Sequence, residues 1–344
     1  MKTMLFQNRY HRVALALLLT SNVFMRASLS VTPEPGIVFT ESHENSYITL
    51  ELFKELGDFW FAPSFSQKGF SDAKQIRDAE SFDFSQTRPG DIFFVRNPQA
   101  FLEKIYPHIK TPYVIVTHGY VPDMFKEEYV PYLSDPNIIA WFTIHAGKGD
   151  RHEKVIPLPL GIRKWPDPKN KIDLKKTNSL FVKLRNQKLK SHLLYMNFAD
   201  STDPERKLIR RKFTGKDFCF EQSKVPTGTF LQQMSLCKFT LAPRGLAPCD
   251  TFRVWESLIV GSIPIIKKTE ETNLSLYEGL PVLMVDSWEQ VTKEFLEEEY
   301  KKICSKTYSN NKLYMSYWIN EIITKRNNFL QKHDYPLRKT NEYR

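Results

Sequence analysis

Residues Lys238–Ile266 read KFTLAPRGLAPCDTFRVWESLIVGSIPII, and this stretch decides the fold class. Lys238–Ala242 is a mostly apolar run closed by Pro243, the pattern of a short buried strand. Pro243, Gly245 and Pro248 then make a stiff loop. Asp250 or Thr251 predicts a helix start, because a short side-chain oxygen there accepts from an otherwise orphaned backbone N–H. Phe252, Trp255, Leu258 and Ile259 recur at helical spacing and turn one face inward. Gly261 ends the helix, and Ile263–Ile266 begins another apolar strand. Strand, loop, helix and strand within about thirty residues make one βαβ unit of a parallel sheet.

The chemistry of the unit lies in its polar residues. Open α/β sheets bind ligands beyond the carboxyl ends of their strands, where Arg244 and Gly245 stand. The helix start aims free N–H groups at the same crevice, which suits a phosphate. Arg253 falls in the first helical turn, where a cation is disfavoured unless an anion offsets it. Glu256 lies three residues on, along a neighbouring line of the helix. Two readings stand side by side: a surface ion pair of Arg253 with Glu256 or Asp250, or an anion site built on Arg244 and Arg253.

The same residues carry a resemblance. Cys237–Gly245 followed by Asp250–Ile266 resembles the nucleotide-sugar half of exostosin-like glycosyltransferases. The shared pattern is a strand ending in Pro-x-Gly (Pro243, Gly245), then Thr251, Phe252 and Arg253, then Glu256, then Gly-x-Ile-Pro (Gly261, Ile263, Pro264). Thr240 and Ser262 stand where that family often has cysteines. The resemblance implies an α/β chain of GT-B type. Two Rossmann-like domains would face each other across a cleft, a C-terminal helix would cross back, and the second domain would bind most of the donor.

Composition sets bounds. Apolar residues at 41% and aromatics at 13% of 344 residues exclude a disordered chain and allow two ordinary cores. The formal charge is +10, and between Arg163 and Lys216 basic residues outnumber acidic ones by about three to one. That bias suits a nucleotide-sugar, an acidic glycan, a membrane surface or nucleic acid. No aromatic platform or nucleic-acid motif supports the last. Cys219, Cys237, Cys249 and Cys304 show no zinc spacing, and read as free thiols or as one bridge among the first three.

Arg9 and Arg12 precede the apolar run Val13–Leu19, so residues 1–30 read as a cleaved signal peptide or an uncleaved signal-anchor, the route to any membrane association. Residues 36–165 then read as an N-terminal Rossmann-like acceptor domain. Its elements are strands at Gly36–Thr40, Asp91–Arg96 and Pro112–Thr117, helices at Ser46–Leu56 and Pro98–Ile109, and a strand in the IIAWFTI run. Gly147–Gly149 reads as a turn. Asp135–Ile162 also resembles the first domain of exostosin-like enzymes, whose final segment leads into the interdomain crossover. Prolines 157, 159, 166 and 168 fit a linker, set at 166–177. The nucleotide-sugar domain spans 178–303, with a strand at Leu193–Phe198, a helix opened by Asp203-Pro204-Glu205, a helix at Pro226–Leu236, a strand at Pro281–Asp286 and an acidic helix at Trp288–Ile303. Residues 304–344 hold a last helix, Asn310–Leu330, and a tail. In a secreted eukaryotic chain, Asn273-Leu274-Ser275 would be a glycosylation sequon.

Residues and resemblance together support a glycosyltransferase of the Golgi or ER lumen. It would move a sugar from a nucleotide-sugar, taken as a UDP-sugar, to a glycan or glycoconjugate acceptor. Inversion is inherited from the resemblance. Asp-x-Asp does not occur, so no metal site and no cofactor is expected; arginines and a helix start can offset the leaving diphosphate instead. The donor residues would be Arg244, Gly245, Asp250, Thr251, Arg253 and Glu256, with Asn197 and Arg206 beside them. His118, directly after a buried strand, is the first candidate for general base, with His145 and Asp123 competing. A GDP-sugar fucosyltransferase of similar fold, or a silent glycan-binding protein on the same scaffold, are the alternatives.

Overall fold

The computed structural model describes residues 36–40, 46–62, 75–119, 125–163, 174–187, 189–247 and 250–337. All lie within one compact unit, Pro35–Arg344. The expected targeting segment, Asp123, Cys249 and the first part of the linker fall outside the described residues.

The first half contains β1 (Val38–Thr40), α1 (Leu50–Leu56), β2 (Phe59–Phe61), β3 (Gln75–Ile76), β4 (Asp91–Val95), α2 (Pro98–Lys104), β5 (Tyr113–Thr117), β6 (Ile138–Thr143) and β7 (Val155–Pro157). The second half contains α3 (Leu174–Arg185), β8 (His192–Met196), α4 (Pro204–Phe213), β9 (Cys219–Glu221), α5 (Thr227–Ser235), β10 (Cys237–Leu241), α6 (Phe252–Ile259), β11 (Ile263–Lys267), α7 (Leu274–Tyr277), β12 (Leu283–Val285) and α8 (Lys293–Cys304). β13 (Thr307–Ser309) and α9 (Met315–Lys332) close the described chain.

Six strands pair in parallel in the order β3-β2-β4-β5-β6-β7, and five in the order β12-β11-β10-β8-β9. Every residue of β4, β5 and β6 is buried. Such strands show no polar–apolar alternation because helices or loops cover both faces of the sheet. In each sheet the strand order reverses once, between β2 and β4 and between β8 and β10. That is where open α/β sheets leave a crevice beyond the strand ends.

Residues just past β7 meet residues just past β10: the Leu160 N–H donates to Asp250 Oδ2 at 2.8 Å. The carboxyl ends of the two sheets therefore face each other. α9 packs back on β6 and α1 of the first half. Two parallel α/β halves, one crossover and a returning last helix make the GT-B arrangement.

Local pattern failed where pairing is non-local. β1 was expected in the first domain's sheet, yet it pairs in parallel with β13, Val38 beside Thr307. The linker set at 166–177 is shorter at its far end, because α3 already begins at Leu174 and buries Phe181 and Leu184. The helix expected over Pro98–Ile109 stops at Lys104, and Tyr106–His108 is a separate 3-10 turn around Pro107. Trp288–Ile303 likewise divides into a capped 3-10 turn and α8, whose N-cap is Thr292. The last helix starts at Met315, after a 3-10 turn at Asn311–Leu313.

The sequon is also corrected. Asn273 is 0% exposed, and its Nδ2 donates to Gly147 O at 2.9 Å and Asp150 Oδ2 at 2.8 Å, tying the two halves together. A glycan on that nitrogen would replace one of its two N–H donors, so at least one of these bonds would be lost. Cys219 and Cys237 are free thiols, and Cys304 is buried.

Candidate functional site

The site is built at the switch point of the second sheet, where β8 and β10 run side by side. Asp203 caps α4, accepting from the Glu205 N–H at 2.8 Å. Its other oxygen holds Arg244 Nε at 2.9 Å. Arg206, one turn into α4 and only 6% exposed, donates from Nε to Arg244 O at 2.7 Å, from Nη2 to Pro243 O at 3.1 Å and from Nη1 to Ala199 O at 3.1 Å. The loop after β10 is thus held from behind by Arg206 and from the side by Asp203. Burial, with Arg253 nearby, lowers the Arg206 guanidinium to about 10, so it stays charged at neutral pH.

α6 begins directly beyond that loop. Thr251 occupies its N-cap position, but the side chain makes no cap bond, and its hydroxyl is buried without a protein partner. Arg253 is half-buried, with the Phe198 and Phe230 rings 5.9 and 5.7 Å from its guanidinium carbon. Its Nε is buried and also lacks a partner. Burial pushes the Arg253 pKa down, and the Glu256 charge holds it up. Glu256 is buried as well. Burial raises its carboxyl, while Arg253, Arg163 and the Arg163 backbone N–H stabilise the charged form. Arg163 arrives from the crossover and had no signal in the local sequence.

Asn197 closes one side, donating from Nδ2 to Tyr195 Oη at 3.0 Å; that hydroxyl donates to Gln233 Oε1 at 3.0 Å. Arg244, Gly245, Thr251, Arg253, Glu256, Asn197 and Arg206 therefore lie close together beyond the ends of β8 and β10 and at the start of α6. Arg206, expected beside the donor residues, turns three of its N–H groups to backbone carbonyls. Asp250 is redirected too. Its carboxylate accepts from Leu160 N, Thr251 N, Trp255 Nε1 and Tyr277 Oη at 2.6–2.9 Å, so all its bonds go to protein groups and it joins the halves. Burial raises it to about 6, opposed by those four donors.

The candidate bases look different in three dimensions. His118 is 1% exposed, stacks on Phe53, and directs Nε2 at Pro159 O at 2.9 Å. A carbonyl only accepts, so Nε2 carries the proton and Nδ1 is a bare acceptor. Burial lowers His118 to about 3 and His145 to about 4, far below an effective base at neutral pH. His145 sits at φ 50°, a left-handed conformation rare outside glycine. Neither histidine faces solvent as the sequence suggested. Among the described residues no group of His, Cys, Asp and Glu could hold a metal ion.

The chain matches no family model and no curated protein. Solved structures with some likeness include an alpha1,3-fucosyltransferase, at 10% identity over 71% of this chain and 79% of that one, TM-score 0.43. A trehalose 6-phosphate synthase from Burkholderia multivorans gives 10%, 73%, 73% and 0.36. Starch synthase IV from Arabidopsis thaliana, bound to ADP and acarbose, gives 10%, 72%, 74% and 0.34. Scores this low bear on no residue's role; the fold stands on the two sheet orders and the returning helix.

Proposed function

We propose that this chain is a glycosyltransferase that takes its sugar from a nucleotide-sugar, with the donor's diphosphate held at the start of α6. One observation carries the reading. The Thr251 hydroxyl and Arg253 Nε are buried without protein partners at the start of α6, the helix that follows the loop carrying Arg244. Native structures leave few buried polar groups unpaired, and a cation at a helix start is disfavoured without an anion. A diphosphate offers the charge and the oxygens for both groups.

The chemistry follows from charge. Breaking the glycosidic phosphate ester leaves negative charge on the departing diphosphate. Arg253, Arg244 and the first N–H groups of α6 lie where that charge grows, so they stabilise the transition state more than the bound donor. Glu256 serves as acceptor for the ribose hydroxyls. We take the donor as a UDP-sugar, the acceptor as a glycan or glycoconjugate, and the outcome as inversion, all three following the resemblance.

Calorimetry with UDP, GDP and pyrophosphate tests the reading. Arg253→Met keeps the aliphatic bulk between Phe198 and Phe230 but removes a charged donor. A charge-assisted hydrogen bond contributes roughly 1.5–3 kcal/mol, so UDP and pyrophosphate should both bind about one to two decades more weakly. Unchanged affinity in a folded variant would remove Arg253 from the donor site, and no binding of any of the three by the native chain would sink the function.

A further inference from the structure

The sequence sets Arg206 beside the donor residues, and its guanidinium donates to the Ala199, Pro243 and Arg244 carbonyls. In a trans peptide the C=O and the following N–H point in opposite directions. Pro243 C=O belongs to the peptide whose N–H is that of Arg244, and Arg244 C=O to the peptide whose N–H is that of Gly245. With both carbonyls turned to Arg206, both N–H groups turn away from it, toward the opposite side of the loop. A Cβ at Gly245 would lie 3.5 Å from Arg206 Nη2, so the guanidinium sits directly against this turn. Donation to a carbonyl also polarises its peptide, which strengthens the N–H as a donor.

We propose that Arg206 is a positioning residue: it aims the Arg244 and Gly245 backbone N–H groups at the donor's phosphate without touching the ligand. The proposal rests on the nucleotide-sugar reading of the site. Asp203 completes the device by fixing the Arg244 side chain on the same loop. Lysine cannot replace the fork, because one ammonium cannot reach three carbonyls that a planar guanidinium spans.

The test uses the full chain with glycine labelled in 15N, the Gly245 amide being assigned by its loss in Gly245→Ala. Inorganic pyrophosphate should shift that amide strongly in the native chain. Arg206→Lys should bind pyrophosphate and UDP about tenfold more weakly and should lose most of the Gly245 shift, while its melting midpoint stays within a few degrees. If the native chain binds pyrophosphate by calorimetry but the Gly245 amide does not move, the positioning role is wrong and the donor site stands. Wild-type affinity in Arg206→Lys also overturns it. If neither pyrophosphate nor UDP binds the native chain, the donor reading itself fails. Should Arg206→Lys not fold, the native Gly245 titration alone decides.

Discussion

Acid should weaken this fold through two buried histidines, an effect that the buried Asp250 carboxyl opposes. Burial holds His118 at about 3 and His145 at about 4, so both stay neutral in the folded chain. In the unfolded chain ordinary histidines titrate near about 6.5 and bind two protons below that value. Their contribution is therefore present above about pH 6.5 and is lost as pH falls. Asp250 acts in the other direction. Burial raises it from 3.8 to about 6, so between those values the folded chain holds one proton that the unfolded chain has released. Its effect favours the folded state as pH falls.

From pH 6.5 to 6 two protons act unopposed, and from pH 6 to 5 Asp250 cancels one. At about 1.4 kcal/mol per proton per pH unit, these three groups by themselves lose about 3 kcal/mol between pH 6.5 and 5. That is a large part of the roughly 5–15 kcal/mol typical of native proteins. Urea unfolding at several pH values reads it, and His118→Gln supplies the control. With one histidine gone, the remaining histidine and Asp250 balance between pH 6 and 5. The variant's slope should then be about 1.4 kcal/mol per unit shallower than the native one. All other carboxylates contribute equally to both chains. Equal slopes, or a His118 ring signal that titrates near pH 6.5, would refute the assignment.

Other expectations follow from the same contacts. Under the proposed ribose role, Glu256→Gln should weaken UDP about tenfold yet leave pyrophosphate at or above native affinity, since it removes a negative charge; equal losses for both ligands in calorimetry would remove that role. Tyr277→Phe deletes one donor to Asp250 and should cost roughly 1.5–3 kcal/mol in urea unfolding, with UDP affinity unchanged. Secreted expression in a glycosylating host should leave Asn273 unmodified by mass spectrometry, because its side chain is buried between the halves. Gly149→Ala should destabilise by about 1–3 kcal/mol in the same unfolding assay, since a Cβ there would clash with the Phe125 ring.

The central βαβ unit was legible because its information is local. An apolar run, a Pro-Gly loop, helical spacing from Phe252 to Ile259 and a closing glycine specify β10, α6 and β11 almost residue by residue. The gathering of Arg244, Thr251, Arg253 and Glu256 follows from their place in that unit, since a strand end and the next helix start must share a crevice. Asp203-Pro204 announced α4 in the same way, through a cap and a fixed φ. Short strands such as β2, β3 and β9 gave no signal, for two or three residues carry no period.

What the tertiary structure decided is the use of each polar group. Sequence set Arg206 beside Arg253 at the same site, but one faces three backbone carbonyls while the Nε of the other has no protein partner. Asp250 looked like a donor ligand or helix cap until the crossover brought the Leu160 N–H to it, from 90 residues away. His118 looked like a base until Phe53 and Pro159 enclosed it. The physical reason is common to all four. Residue type fixes which bonds a side chain can make, whereas burial and the identity of its partners, set by contacts distant in sequence, fix its charge and the bonds it does make.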